Sequence, residues 1–319
     1  MSFPNVSDIV ATTIESRSGE IADNVTKNNA VLAKLKASGK VRSVTGGSVI
    51  YEELSFAQKG NVGWYSGYDL LSVAAQDVLS AAQFSLKQLA CPVVVSGLEL
   101  LENSGKEQII DLLESRVRVA EATMANTLAQ GVYSDGTGSG GKQLVGLQAA
   151  VSATPTTGTY GGIDRATWTF WRNYYLASTT TSSNIQSAMN TVYSNLCRGK
   201  DHPDLILTDN NGWQQFSASL QTLQRFTDSK MADLGFASLK YMGADFVLDG
   251  GIGGYCPTSY MYFLNTDYLF LRPHKDRNMV SLDPQKRAPV NQDAEIQILA
   301  WAGALTCSGA QFQGLLNFA

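Results

Sequence analysis

The sequence is short of charge and of histidine, and it has no long apolar run. Charged residues make up 16% of its 319 positions, against roughly 25% in ordinary soluble domains. The 24 cations and 28 acids leave a net charge of -4. That balance argues against a generally basic nucleic-acid binder while leaving room for a local basic patch. So little charge on a large chain points to a surface covered by partners. Only two histidines occur, His202 and His274, too few for a histidine-rich metal site and a poor basis for histidine catalysis. No stretch of 18 apolar residues could form a transmembrane helix. The opening MSFPNVSDIV lacks the basic and apolar regions of a secretory signal. Cys91, Cys197, Cys256 and Cys307 are dispersed, which fits free thiols in a reducing compartment.

The motifs that could carry chemistry fail on context. Gly136 to Gly141 matches GxGxxG and, with Lys142, most of a phosphate loop. Such a loop must follow a strand and open a helix so that helix amides meet the phosphates. Here it follows a predicted helix, and Gln143 stands where a magnesium-binding Ser or Thr belongs. It is expected to be a flexible connector. His202 lies between Asp201 and Asp204, but no GxSxG elbow supplies a nucleophile. Glu52-Glu53 lack the spacing of a calcium loop. Asp245 and Asp249 flank a predicted strand, and the glycines that follow read as a turn.

What is present is a clear order of elements. Ile14, Ile21, Val25, Leu32 and Leu35 fall on one helical stripe, and from Asn24 to Tyr51 five cations (Lys27, Lys34, Lys36, Lys40 and Arg42) occur without an acid. This basic segment reads either as a solvated helix face or as an arm on an acidic surface. Ser48–Ser55 looks like a strand. Next, Lys59, Gly60, Trp64, Tyr65 and Tyr68 lie in a glycine-rich loop whose rings need cover. Val73–Leu89 fits strand or helix, and Pro92–Gly97 a short buried strand. Ser104 and Glu107 form a capping box. Ile109, Leu113, Val117, Ala120, Met124 and Leu128 then recur at helical spacing. One long helix over 105–133 follows. Asp164 can cap a helix carrying Trp168, Trp171 and Tyr175. Ile185, Ala188, Met189, Val192, Tyr193 and Leu196 mark another helix, and Trp213 to Phe226 a third. Strands are predicted at 205–208, 246–248, 260–264 and 268–271. The last segment alternates from Ala294 to Thr306 with no charge after Glu295, so it should be buried or paired with other chains.

This order resembles the major capsid proteins of tailed double-stranded DNA bacteriophages, the Hong Kong 97 fold family. The stretches that carry the likeness are Gly46-Gly47 to Tyr51, Asn61 to Leu70, Val93–Gly97 leading into the long helix, and Ser134–Gly138 leading to Gly146-Leu147. Tyr262–Asn265, Asn291–Ala294 and the Trp301 strand add to it. The resemblance implies an α+β subunit of four parts. They are an N-terminal arm (1–44), an extended loop (45–82), a peripheral domain with a spine helix at 105–133 (83–141 plus 291–319), and an axial domain (142–290). It implies self-assembly as hexamers and pentamers into an icosahedral shell around double-stranded DNA, which the subunits touch non-specifically. It implies no enzyme activity and no cofactor. Separate scaffolding, portal and decoration proteins are implied partners, and a virion assembled in the bacterial cytoplasm is the implied location, without a membrane. Subunit contacts fall to the loop tip, Lys59, Gly60, Trp64, Tyr65 and Tyr68, and to the basic arm. About 44 residues precede the loop, so no fused scaffold is expected, and Lys59 has no matching crosslinking partner. Two alternatives stay open: an encapsulin-type compartment shell, and an α/β enzyme with an unrecognised site.

Overall fold

The structure is a computed structural model. It describes residues 29–57, 60–70, 73–75, 77–98, 106–220, 238–251, 254–282 and 294–318, without the side chains of 106–115, 238 and 295. The expectations at Ile14, Ile21, Val25, Lys27, Lys59, Leu223, Phe226 and Asn291 lie outside it.

The elements run α1 (Ala30–Ala37), β1 (Val49–Ser55), β2 (Leu79–Ser85), β3 (Lys87–Ser96) and α2 (Lys106–Val132). Then come β4 (Thr159–Tyr160), β5 (Ile163–Asp164), β6 (Tyr174–Ala177), α3 (Ile185–Leu196), β7 (Leu205–Thr208) and α4 (Asn210–Ser219). The chain continues with β8 (Ser238–Tyr241), β9 (Ala244–Leu248), β10 (Tyr260–Leu264), β11 (Leu269–Ser281), β12 (Ala294–Cys307) and β13 (Gly314–Asn317). At 1.5 Å per residue, α2 is about 40 Å long.

Two sheets organise these elements. A six-stranded sheet has the order β6-β13-β10-β7-β9-β8. It is buried on both faces because its strands alternate between two cores. Ile206, Phe246, Met261, Phe263 and Leu316 meet Ile185, Met189, Val192 and Leu196 of α3 and Phe216 of α4. Leu205, Leu207, Val247, Tyr262, Leu264 and Leu315 join a larger core with α1 and α2. All six apolar residues predicted for α3 are buried.

The second sheet has the order β11-β12-β3. Residues 41–44 extend it as a parallel edge, bridging Val41 to Leu271 and Val44 to His274. β12, uncharged after Glu295, is therefore paired on both sides within its own chain, and of the two expectations for it, burial or pairing with other chains, burial is the one the fold meets. On α2, Val117, Ala120, Met124 and Leu128 are buried as their spacing predicts, and the helix packs along β3.

Four further expectations change. The predicted buried strand at Pro92–Gly97 is part of the ten-residue β3, in which Val93 and Val95 are buried but Val94 is exposed. No long helix follows Asp164. Its carboxylate accepts from the Ala166 amide and the Thr167 hydroxyl, a local turn that competes with helix propagation. A single 3-10 turn at Thr169–Trp171 follows, and Tyr174–Ala177 pair instead with β13. The glycine-rich connector is a built helix ending rather than a flexible loop. Ser134 Oγ donates to the Leu144 carbonyl, the Gly136 amide donates to Ser134 Oγ, and the Gly146 amide donates to the Ser134 carbonyl. A Cβ at Gly146 would collide with the Gly131 and Val132 carbonyls, so only glycine lets the returning chain cross the end of α2 so closely. Finally, the sheets redraw the domain boundary expected at 290/291. β11 belongs with β12 and β3, whereas β13 lies inside the six-stranded sheet.

Candidate assembly interface

The extended loop grows from the antiparallel β1–β2 hairpin, whose register runs from Val49 opposite Ser85 to Ser55 opposite Leu79. Strand periodicity places Ile50, Glu52 and Leu54 on one buried face and Tyr51, Glu53 and Ser55 on the exposed one. A glutamate thus sits between two apolar anchors, and the fold satisfies it fully. Arg272 of β11 donates to Glu52 through Nε at 2.8 Å and Nη2 at 2.9 Å. Thr306 Oγ1 of β12 donates to Glu52 Oε1 at 2.8 Å. This two-pronged pairing is the strong form of a carboxylate contact. Around it, Phe84 packs edge-on against Tyr160 at 5.4 Å, and Phe56 lies 5.7 Å from both Trp168 and Phe170. Cys307, next to Thr306, is buried, and burial pushes its thiol up to about 12. It is inert packing at neutral pH.

Beyond Phe56 the loop leaves the body of the subunit. Within it, Asn61 Nδ2 donates to the Ala74 carbonyl at 2.5 Å, the Ser66 amide donates to Asp69 Oδ2 at 2.9 Å and the Asp69 amide donates to the Ser66 carbonyl at 3.1 Å. Gly67, at φ 52°, makes the tight turn. The relative exposures are 106% at Trp64, 105% at Tyr68, 100% at Leu70 and 66% at Tyr65. Scattered exposed apolar residues need no explanation, but a contiguous run of large ones marks a contact surface. Gly60 is exposed in the same loop.

The basic segment splits in two. Asn29 caps α1 through Val31 and Leu32, and Ala30, Val31, Leu32 and Leu35 are buried in the larger core. From residue 29 onward this part of the arm is core, not a free arm. Lys34 meets an acidic surface that is the chain's own: Asp245 at 2.5 Å and Asp204 at 3.8 Å. Lys40 pairs with Asp267 at 2.9 Å. Lys40, Arg42 and Arg272 all lie within 5.6 Å of the centre of the Phe270 ring. Lys36 and Arg42 are exposed.

A buried polar group at the end of α2 carried no sequence signal beyond its position after a strand. The Tyr133 hydroxyl donates to Asp249 Oδ2, tying the spine helix to the loop after β9. Burial raises Asp249 above the usual carboxylate range, and it raises Tyr133 and Cys256 beside it. His202, the one enzyme candidate, has Nδ1 3.0 Å from the Pro203 carbonyl and its ring beside Tyr193. Among the described residues no group of three or more His, Cys, Asp or Glu could hold a metal ion. No helix among them is long and apolar enough to cross a membrane.

A hairpin rooted in one sheet, a long helix on its other face and a second sheet buried on both sides form a recognisable whole. The cyanophage A-1(L) capsid asymmetric unit superposes with a TM-score of 0.62 at 16% identity, over 87% of this chain and 90% of that one. The chain has the Hong Kong 97-type capsid fold. The capsid of a native GTA particle shares the fold, with a TM-score of 0.59 at 14% identity over 90% of each chain. So does the holo-SrpI encapsulin complex of Synechococcus elongatus PCC 7942, with a TM-score of 0.52 at 7% identity over 87% of this chain and 84% of that one. At such identities the likeness is one of fold. No protein-family model matches the sequence, and no curated protein matches it by sequence.

Proposed function

We propose that this chain is the major capsid protein of a tailed double-stranded DNA bacteriophage. It assembles as hexamers and pentamers into an icosahedral shell around the genome. Its role is structural rather than catalytic. The observation that carries this reading is the extended loop on a capsid fold: Trp64, Tyr68 and Leu70 are fully exposed at its tip while its root is locked. Such a loop is complete only when a neighbouring subunit covers it, and many modest contacts of this kind add up across a closed shell. The four-part division belongs to the same reading. Residues up to 44 form the arm, and 45–82 the extended loop. β3, α2, β11 and β12 form the peripheral domain, and the six-stranded sheet with α3 and α4 the axial domain. Scaffolding, portal and decoration proteins are the expected partners, and the virion is the expected location.

Negative-stain electron microscopy of the purified chain, with sedimentation velocity on the same sample, tests the proposal. Closed shells, capsomer rings or tubes are the expected result. A folded monomer or dimer, persisting on co-expression with the products of the neighbouring genes, would overturn it. The likeness to the encapsulin complex supports a second reading, a compartment shell with protein cargo. Nucleic acid protected inside the particles would favour the phage reading, and co-purifying protein cargo the other.

A further inference from the structure

The charges of this sequence are segregated along the chain. Asn24 to Tyr51 carries five cations and no acid, whereas Gly60 to Leu86 carries two acids, Asp69 and Asp77, and no cation. The two blocks meet only at their uncharged ends, where Val49–Tyr51 pair with Gln83–Ser85. The last cation of the basic block, Arg42, lies in the edge strand 41–44 beside β11. There β11 departs from its ladder: Pro273 faces Gly303 and Asn278 faces Trp301, so residues 274–277 bulge out opposite Ala302 alone. The bulge adds exposed Lys275 and Arg277 to exposed Arg42. Arg42 rests on Phe270, and Arg277 donates to Gln88 Oε1 at 3.0 Å. No carboxylate pairs with Arg42, Lys275 or Arg277 among the described residues. Asp69 and Asp77 are exposed on the loop that holds Trp64 and Tyr68 away from the rest of its own chain.

We infer that the acidic, aromatic loop of one copy is received by the basic ridge of the next, formed by Arg42, Lys275 and Arg277. The inference rests on the shell reading above and names the receiving surface. Two complementary patches on different faces of one subunit make a head-to-tail contact, the kind that closes into rings when the rotation permits. The charges set register and exclude wrong pairings, and the rings supply the buried area. Exposed Asp276, between Lys275 and Arg277, breaks the ridge into short cationic steps. Spaced carboxylates match such steps better than the continuous charge of a nucleic-acid backbone does.

A charge swap tests it. The ridge variant is Arg42→Glu with Lys275→Glu and Arg277→Glu, and the loop variant is Asp69→Lys with Asp77→Lys. Each alone should raise the free-subunit concentration in sedimentation velocity by about tenfold or more, since like charges then face each other. A chain carrying both sets should recover most of that loss. Lys275→Glu with Arg277→Glu alone, which leaves Arg42 on Phe270, guards against a folding defect and should show the same sign. Normal shells from the ridge variant would overturn the inference, as would a combined variant no better than the worse single set. Shells that form normally but lose bound nucleic acid would assign the ridge to DNA and overturn it too. If the unaltered chain forms no shell under any condition, the shell reading itself falls, an outcome distinct from these.

Discussion

The root and the tip of the extended loop, Glu52 and Trp64, stand 12 residues apart in sequence and follow opposite rules. At the root, Glu52 is a buried charge with every contact supplied by its own chain, from Arg272 and Thr306. At the tip, Trp64 and Tyr68 are large apolar rings with no cover from their own chain. The root fixes where the loop leaves the body of the chain, and on the proposed reading a neighbouring copy covers the tip. A mutation at the root should therefore act on folding, and one at the tip on assembly.

The largest expected effect is at the root. Glu52→Ala would leave the half-buried Arg272 and the buried Thr306 hydroxyl without their carboxylate and should cost about 3 kcal/mol, read as a fall in denaturant midpoint of the isolated subunit. A smaller loss at the same site would mean that Arg272 finds another partner. Next comes the end of the spine helix. Gly146→Ala pushes a methyl group into the Gly131 and Val132 carbonyls and should cost about 1–3 kcal/mol, with Gly46→Ala, which meets no atom and needs no left-handed backbone, as its contrast.

Asp249 sharpens the comparison through pH. Burial raises its folded pKa above the unfolded value of about 3.9, so the folded state prefers the protonated acid. The sign differs from that of a salt-bridged carboxylate: Asp249 favours folding at low pH, and this favour is lost as pH rises through the folded pKa. Asp249→Asn should raise Tm at pH 7 and flatten the pH dependence of stability on the rising side of the unfolded carboxylate pKa. An unchanged pH profile would remove Asp249 as its source. The smallest effect on the subunit belongs to the tip. Trp64→Ala with Tyr65→Ala should leave stability within about 0.5 kcal/mol and yet prevent shells in the electron microscope. Normal shells from that variant would sink the assignment of the loop as a contact.

Much of this was legible in sequence wherever a period repeats long enough. The helical spacing of α3 and of the described part of α2 identifies the buried face correctly. The alternation of β12 does not: Ile296 and Ile298 are only half-buried while Gln297 and Leu299 are buried, and from Leu299 onward both faces are covered. Glu52 was missed because it was weighed as part of an acidic pair. The available signal was its place two residues from Ile50 and two from Leu54, on the apolar face of a strand. The turn at Asp164 misled because a capping side chain serves a turn as readily as a helix, and the pairing of Tyr174–Ala177 with a strand some 140 residues away left no local trace. The cations of the arm were legible as a block. Their division into Lys34 and Lys40, which pair internally, and Arg42, which does not, depended on tertiary contacts with Asp245 and Asp267. The capsid likeness came from the order of elements rather than from any motif.

The end of the chain passes from one sheet to the other. β12 is the middle strand of the three-stranded sheet, and β13, beginning at Gly314 soon after Cys307, lies between β6 and β10 in the six-stranded one. A pull that parts the two sheets breaks the side-chain packing between them first, since such contacts fade within about an ångström. The chain between Cys307 and Gly314 then draws taut, so the two sheets stay tethered until β12 or β13 is stripped from its ladder.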